Sequence, residues 1–327
     1  METRRLGPHG PPVSRLGLGL AALGRPAYHT LEHGTDFPEG RSPEQMRRRA
    51  HAVLDAAFAA GIRYVDAARS YGRAEEFVRS WLEERRLAPS DLVVGSKWGY
   101  RYTGAWRLET ERHEVKDHSL SAFRSQSTET LDTLGPYLTL YQIHSATPES
   151  PVLHDAPVLD ELARLRDRGV HIGVTVSGTR QADVVRTAIE IERGGAPLFD
   201  AIQATWNLLE PSCEPALREA HAAGRAVLVK EPLANGRLTP RGDAGVRGLL
   251  ADVARAAACS ADAVALAAAL AQPFADVVLL GAATAEQLRS NLRALDVSLP
   301  AGALGDLAAL REDAASYWQR RATLPWT

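Results

Sequence analysis

The sequence predicts a (β/α)8 TIM barrel with a short N-terminal β-hairpin and long loops at its C-terminal rim. Three observations carry this. Short apolar runs alternate with helically periodic segments along the 327 residues, and strands that alternate with helices pair in parallel. Eight such units can be counted, spaced by roughly 25 to 50 residues, and eight is the number that closes this barrel. No Pro/Gly-rich linker or shift in composition divides the chain, so residues 1–327 read as a single domain of ordinary length for one barrel.

The units follow in order. Residues 3–14, broken by Gly7, Gly10 and paired prolines, read as a small hairpin ahead of the core. The first strand falls in 13–20, where Leu16, Leu18 and Leu20 alternate with small residues. Residues 24–42 have no periodicity, and a loop this long in a compact domain is more often functional than idle. Ser42 and Pro43 open the first helix, and Gly61 stops it. The second strand, 62–66, leads to a helix over 73–86 with Phe77, Val78, Trp81 and Leu82 at helical spacing. Strand 91–98, a long loop over 99–116 and helix 117–134 make the third unit. Strand 137–143 precedes helix 155–168, and strand 170–176 precedes helix 179–193. Strand 199–206 precedes helix 212–223. Strand 225–230 is followed by a loop over 232–247 and helices over 247–258 and 260–271. Strand 275–280, helix 284–295 and a last helix over 300–320 complete the chain.

Charge is nearly balanced, 38 Lys and Arg against 40 Asp and Glu, without the basic field of a nucleic-acid or membrane-surface protein. Two cysteines, Cys213 and Cys259, are too few for a disulfide framework or a zinc cluster. The N-terminus has no apolar signal core, and no apolar run approaches the roughly 20 residues of a membrane helix. These features predict a cytoplasmic protein whose partner is a small molecule, with no nucleic acid, membrane or metal involved.

Polar residues stand at three successive strand ends. Asp66 closes the second strand, Tyr71 follows in the turn before Gly72, Lys97 closes the third strand and His144 the fourth. In a parallel barrel these ends share one rim, where chemistry is placed. Taken singly, each has a plainer reading: a helix cap, a packed ring, a solvated ammonium, a satisfied rim imidazole. Taken together they suggest an acid site, because a phenol of ordinary pKa about 10 needs a nearby cation to release its proton readily.

The set Asp66, Tyr71-Gly72, Lys97 and His144 resembles the pattern of the aldo-keto reductase family, and the likeness runs from Ser14-Arg-Leu-Gly-Leu-Gly to Asn291. The resemblance implies direct hydride transfer between a nicotinamide and a carbonyl. Tyr71 would be the general acid and Lys97 would lower its pKa. Asp66 would hold Lys97, and His144 would orient the carbonyl oxygen. It also implies a cofactor set: Gln203 for the nicotinamide carboxamide, with Thr175 and Ser177 beside it, although Val176 replaces a usual asparagine. Lys230 stands where an aromatic ring usually stacks on the nicotinamide, and a cation there reaches a phosphate or Glu231 instead. Gly281, Gln287 and Asn291 match the adenosine phosphate end, where a strand-end glycine and a helix N-terminus suit an anion.

The family's lysine and arginine grips on the 2′-phosphate are missing. Gln287 occupies the arginine position and Arg289 is out of register, yet the resemblance still favours NADP(H) over NAD(H). Pocket walls are expected from 24–42, 99–116, 232–247 and a tail carrying Tyr317, Trp318 and Trp326. Trp98 and Trp206 are expected to flank the substrate. Arg69 either meets an acidic substrate group or pairs with a nearby carboxylate. The resulting expectation is an NAD(P)H-dependent reductase of an aldehyde or ketone. An NAD-dependent sugar or alcohol dehydrogenase of the same mechanism fits the same residues. An intact tetrad speaks against a cofactor-binding regulatory protein with little turnover, and the match at Gln203 and 281–291 speaks against a phosphate-sugar lyase.

Overall fold

The alternation of inward and outward side chains along eight strands organises the molecule. A computed structural model describes residues 1–327, the Arg247 side chain excepted. The strands are β1 (Leu16–Gly19), β2 (Tyr64–Asp66), β3 (Val93–Trp98), β4 (Leu138–Ala146), β5 (His171–Val176), β6 (Ala201–Thr205), β7 (Ala226–Lys230) and β8 (Val277–Leu280). Each pairs in parallel with the next, and β8 pairs with β1, so the sheet closes into a barrel. A hairpin, Thr3–Arg5 against Pro12–Ser14, caps its lower end. Its Leu6 and Val13 join Tyr64, Val93, Leu140 and Leu228 in the barrel interior. The residues between these, such as Val65, Val94, Ile143 and Ile202, face outward into the layer beneath the helices.

The helices of that layer are α1 (Pro43–Ala59), α2 (Ala74–Glu84), α3 (Leu120–Leu134), α4 (Ala156–Asp167), α5 (Gln181–Ile189), α6 (Glu214–Ala222), α7 (Ala244–Ala256), α8 (Ala261–Leu270) and α9 (Ala285–Leu292). The first begins as the sequence predicts: Ser42 and Gln45 cap each other's backbone N–H, with Pro43 inside the first turn. Among the described residues, no single helix is long and apolar enough to cross a membrane.

Three stretches differ from the sequence reading. The loop over 99–116 contains an antiparallel pair, Tyr100–Tyr102 with Glu114–Lys116, which lifts Tyr100 and Glu114 over the rim. The helix expected over 179–193 stops at Ile189. Glu192–Arg193 then pairs with Ala196–Pro197 around Gly194 and Gly195, whose φ of 64° and 74° are the two positive values such a tight hairpin needs. The last helix is two, α10 (Ala303–Leu307) and α11 (Ala314–Ala322). Arg311 turns extended, the Glu312 N–H leaves for the Leu209 carbonyl at 2.9 Å, and Asp313 caps the new helix by accepting from Ser316.

Inside the barrel, glycines make room for the larger side chains, and Gly95 is the tightest case beside Tyr64. A Cβ on Gly95 would lie 2.4 Å from the Tyr64 hydroxyl, which itself donates to Asp66 at 3.0 Å. Gly95→Ala is therefore expected to destabilise the protein by about 1–3 kcal/mol through overpacking. Adding Tyr64→Phe should restore part of that loss, as measured by urea denaturation; an additive double variant would show that the clash is elsewhere.

Candidate active site

Asp66 is the centre of the upper barrel. Its carboxylate receives the Lys97 ammonium from β3, the Tyr64 hydroxyl from β2, the Gln142 amide from β4 at 3.3 Å and the Gln203 amide from β6 at 3.1 Å. Lys97 also donates to the Ala67 carbonyl at 2.9 Å. Both ions are almost fully buried. Such a pair holds only because its remaining hydrogen-bonding capacity is filled.

Tyr71 is delivered by the turn between β2 and α2. The Arg69 N–H bonds the Lys97 carbonyl at 3.0 Å and the Arg73 N–H bonds the Gly24 carbonyl at 2.8 Å. Gly72 has a φ of 61°, and a Cβ there would meet the Gly24 carbonyl at 2.5 Å, so the two loops touch through backbone alone. The Tyr71 ring then lies edge-on to His144, with centroids 5.5 Å apart, and the Lys97 Nζ stands 4.8 Å from the Tyr71 centroid. His144 is aimed by a break in the β4–β5 ladder. The register shifts after Ile143, and Ser145 takes a φ of 52°. The freed Ser145 N–H is accepted by the Thr175 hydroxyl at 2.6 Å.

The electrostatics correct one expectation. Lys97 was expected to lower the Tyr71 pKa, but the phenol is pushed up. Burial is the largest cause and the Asp66 charge the next, with Arg25 working the other way. The Lys97 charge is engaged by Asp66, and burial brings Lys97 itself below its usual value. Tyr71 thus holds its proton at any physiological pH. His144 is held well below the ordinary histidine range, first by burial and then by the charges of Lys97 and Lys230. It is a neutral imidazole whose Nδ1 faces Ser70 Oγ at 3.4 Å.

Tyr71 and His144 open on a cavity of about 580 Å³, within the roughly 300–1,000 Å³ range of small-molecule sites. It runs from Tyr71, His144 and Tyr100 past Lys230 to Gly281, Gln287 and Asn291. Ser177 and Gln203 also line it. Five sequence candidates do not: Lys97, Trp98, Trp206, Arg69 and Thr175. Lys97 points inward, so its neighbour Trp98 points outward, where it packs on His118 and Phe123. Trp206 turns outward for the same reason and packs on Phe274. Arg69 is bound by Glu75 at 2.5 Å and Glu129 at 2.6 Å, which is the carboxylate pairing foreseen as its alternative. Thr175 also stands off the lining, its hydroxyl occupied by Ser145. Of the tail residues, Trp326 reaches the cavity, whereas Tyr317 and Trp318 pack in a separate cluster with Leu209 and Leu307.

The sequence reading named no residue in the first rim loop, yet that loop supplies much of the wall. Arg25, 1% exposed, donates to the Ser70 carbonyl at 2.9 Å and to Glu114 at 2.7 Å, and lies 4.8 Å from a ring centroid of Trp326. Lys230 donates to the Thr205 hydroxyl at 2.9 Å and titrates near 8, lowered mainly by burial. Glu231 is taken by Arg321 of α11, whose Nε lies 3.0 and 2.9 Å from the two carboxylate oxygens.

Residues 15–312 match the model of the Aldo/keto reductase family. The chain belongs to that family. Protein tas of Escherichia coli (strain K12) is 26% identical over 92% of this chain and 94% of its own length. An oxidoreductase of Bacillus subtilis (strain 168), YqkF, is 24% identical over 90% of this chain and 91% of its own. An aldo-keto reductase of Mycobacterium sp. (strain KMS) reaches 32% over 64% of this chain and 68% of its own. The solved holo form of an aldo-keto reductase from Bacillus halodurans shares the fold, with a TM-score of 0.73 and 23% identity over 98% of this chain and 99% of that one. The protein is accordingly an oxidoreductase of the aldo-keto reductase type, a family that uses nicotinamide cofactors on small-molecule carbonyl compounds.

The cavity fits such a dinucleotide on its own features. A Cβ on Gly281 would meet nothing within 4 Å, so a ligand can lie against this strand end before α9 begins. Five buried polar atoms on its lining residues, Arg25 Nε, His29 Nδ1, His33 Nδ1 and Nε2, and Asn235 Oδ1, have no partner within the described residues. Gln203, Lys230 and Ser177 stand on the Tyr71 side, and Gly281, Gln287 and Asn291 at the other end.

Breaking the central ion pair should be costly. Asp66→Asn leaves the Lys97 ammonium buried without its counter-charge and is expected to lose about 3–5 kcal/mol. Asp66→Asn with Lys97→Met should recover much of it in denaturant titrations. A single variant as stable as wild type would show that the pair is dispensable to the fold.

Proposed function

We propose that the chain reduces an aldehyde or ketone to an alcohol with a nicotinamide dinucleotide, Tyr71 acting as the general acid. The observation that carries this is the meeting of the Tyr71 phenol and the neutral His144 at one end of the cavity, with the Asp66–Lys97 pair behind them. The bound cofactor supplies the hydride to the carbonyl carbon. His144 donates a hydrogen bond to the carbonyl oxygen and fixes its position. Tyr71 gives its proton to the same oxygen as the alkoxide develops. A phenol of raised pKa is no obstacle, because an alkoxide is the stronger base. Lys97 and Arg25, 4.8 and 5.2 Å from the Tyr71 centroid, face the negative charge that the departing proton leaves. Asp66 and Gln142 position Lys97 and Gln203. Gln203, Ser177 and Lys230 would hold the nicotinamide half, with Thr175 acting through Ser145, and Gly281, Gln287 and Asn291 the adenosine half. That a relative with this fold, from Bacillus halodurans, was solved in a holo form supports a bound cofactor.

Arg25, Tyr28, Tyr100 and Trp326 surround the acid with rings and one neutralised cation, which suits aldehydes and aryl ketones. The test is a panel of such substrates, followed by loss of dihydronicotinamide absorbance in wild type and Tyr71→Phe. We expect kcat to fall by about 10²–10⁴-fold in the variant, the usual contribution of a general acid. Cofactor binding should stay within about twofold, since only one hydroxyl is removed. A Tyr71→Phe enzyme that turns over at the wild-type rate would end this reading.

A further inference from the structure

The end of the cavity away from Tyr71 joins four segments distant in sequence: the first rim loop, the loop after β7, and the starts of α8 and α9. Apart from Arg241, its carboxylates stand beside neutral groups: the hydroxyls of Thr239, Ser260 and Ser290, and the His33 ring, both of whose nitrogens are buried without a hydrogen-bond partner. Asp36, 7% exposed, lines the cavity, accepts from Gln287 Nε2 at 2.8 Å and pairs with Arg241 Nη2 at 2.5 Å. Arg241 is fully engaged: its Nη1 lies 3.2 Å from both Asp36 Oδ2 and the Leu31 carbonyl, and its Nε stands 3.6 Å from Glu32. Asp262 presents a second carboxylate, held by Asn291 at 2.8 Å. Asn235, 8% exposed, gives its Nδ2 to the His29 carbonyl at 3.1 Å and leaves Oδ1 buried with no partner. Gln287 is committed at both ends, its Oε1 accepting from the Ala283 N–H at 2.8 Å. Arg289 points to Glu286 at 3.4 Å and is exposed. Among the described residues, no uncommitted cation lines this end.

A ribose hydroxyl can donate a hydrogen bond. A phosphate monoester carries nearly two negative charges at neutral pH and offers strong acceptors. Two carboxylates and an orphan amide oxygen, with Arg241 already taken by Asp36, therefore suit the first better than the second. We infer that this chain selects a dinucleotide whose adenosine ribose is unphosphorylated, NADH over NADPH, and that Asp36 sets the choice. The inference rests on the dinucleotide reading above and reverses the cofactor preference that the family resemblance suggests. Burial opposes the Asp36 charge, but His33 and Arg241 outweigh it and hold the carboxyl down at about 2, so Asp36 is ionised and occupies Arg241 at every working pH.

The experiment titrates wild type and Asp36→Asn with NADH and with NADPH, following tryptophan fluorescence, with circular dichroism to verify folding. Wild type should bind NADH at least tenfold more tightly than NADPH. Asp36→Asn should gain about tenfold or more for NADPH and stay within about threefold for NADH, because only the charge is removed. A second measurement needs no variant: 5′-AMP should displace NADH from wild type, and adenosine 2′,5′-bisphosphate should do so at least tenfold more weakly. Equal or tighter binding of NADPH, equal displacement by the two fragments, or a variant that shifts both dinucleotides alike overturns the inference while leaving the dinucleotide site standing. If neither dinucleotide binds wild type, the functional reading itself falls and the inference falls with it.

Discussion

The upper barrel depends on how one buried carboxylate is satisfied. Asp66 draws donors from its own strand and three others: Tyr64, Lys97, Gln142 and Gln203. Burying a charge is unfavourable unless it is paired and hydrogen-bonded, so these four side chains are held inward together. The consequence for chemistry is geometric. Lys97 cannot swing toward solvent, its ammonium remains beside the Tyr71 ring, and the neighbouring residue of each strand is forced to the outer face. Tyr64 keeps its proton because burial and Asp66 raise its pKa, which makes it a donor at all times. Gly95 provides the space that this donor occupies.

That constraint also decides the acid's character. A lysine free to face the phenol alone would lower its pKa. Here its charge is shared with Asp66, while desolvation dominates at Tyr71 and Arg25 opposes it only in part. The result is an acid that does not ionise in the resting site and meets a base only when an alkoxide forms. The cations around it act on the charge produced rather than on the ground state, which is the differential stabilisation that speeds a reaction.

The barrel and the rim positions of Asp66, Tyr71, Lys97 and His144 were legible because they follow from local rules: strand–helix alternation, a helix stop at Gly61, and polar residues at strand ends. The alternation rule also contained the correction for Trp98 and Trp206. An inward Lys97 or Thr205 requires an outward successor, so aromatic character was weighed where parity should have been. The Gly194-Gly195 hairpin was equally readable as two residues suited to positive φ. Splitting the last helix was harder, because Asp313 as a cap competes with an otherwise unbroken helical pattern, and the tertiary bond from the Glu312 N–H to Leu209 lies beyond any local window.

The loops of the cavity wall were legible, but the residues that tie them together were not, for a deeper reason. The wall is assembled by ion pairs between segments that no periodicity connects: Arg25 with Glu114, Asp36 with Arg241, Glu231 with Arg321. Each crosses from one rim loop to another or to the terminal helix. Even the last residue takes part, since the Thr327 and Tyr28 backbones bond each other in both directions at 3.2 and 3.3 Å. A loop with no apolar period buries little surface of its own, so its order must come from such partners. Pairing the cations internally also changes what the wall can recognise. Arg241 and Arg321 both line the cavity, but each already holds a carboxylate, and a ligand phosphate would have to compete with Asp36 or Glu231 for it. The specificity of this cavity is therefore carried by the groups left over after the loops have tied themselves together: rings beside Tyr71, and acceptors beside Gln287.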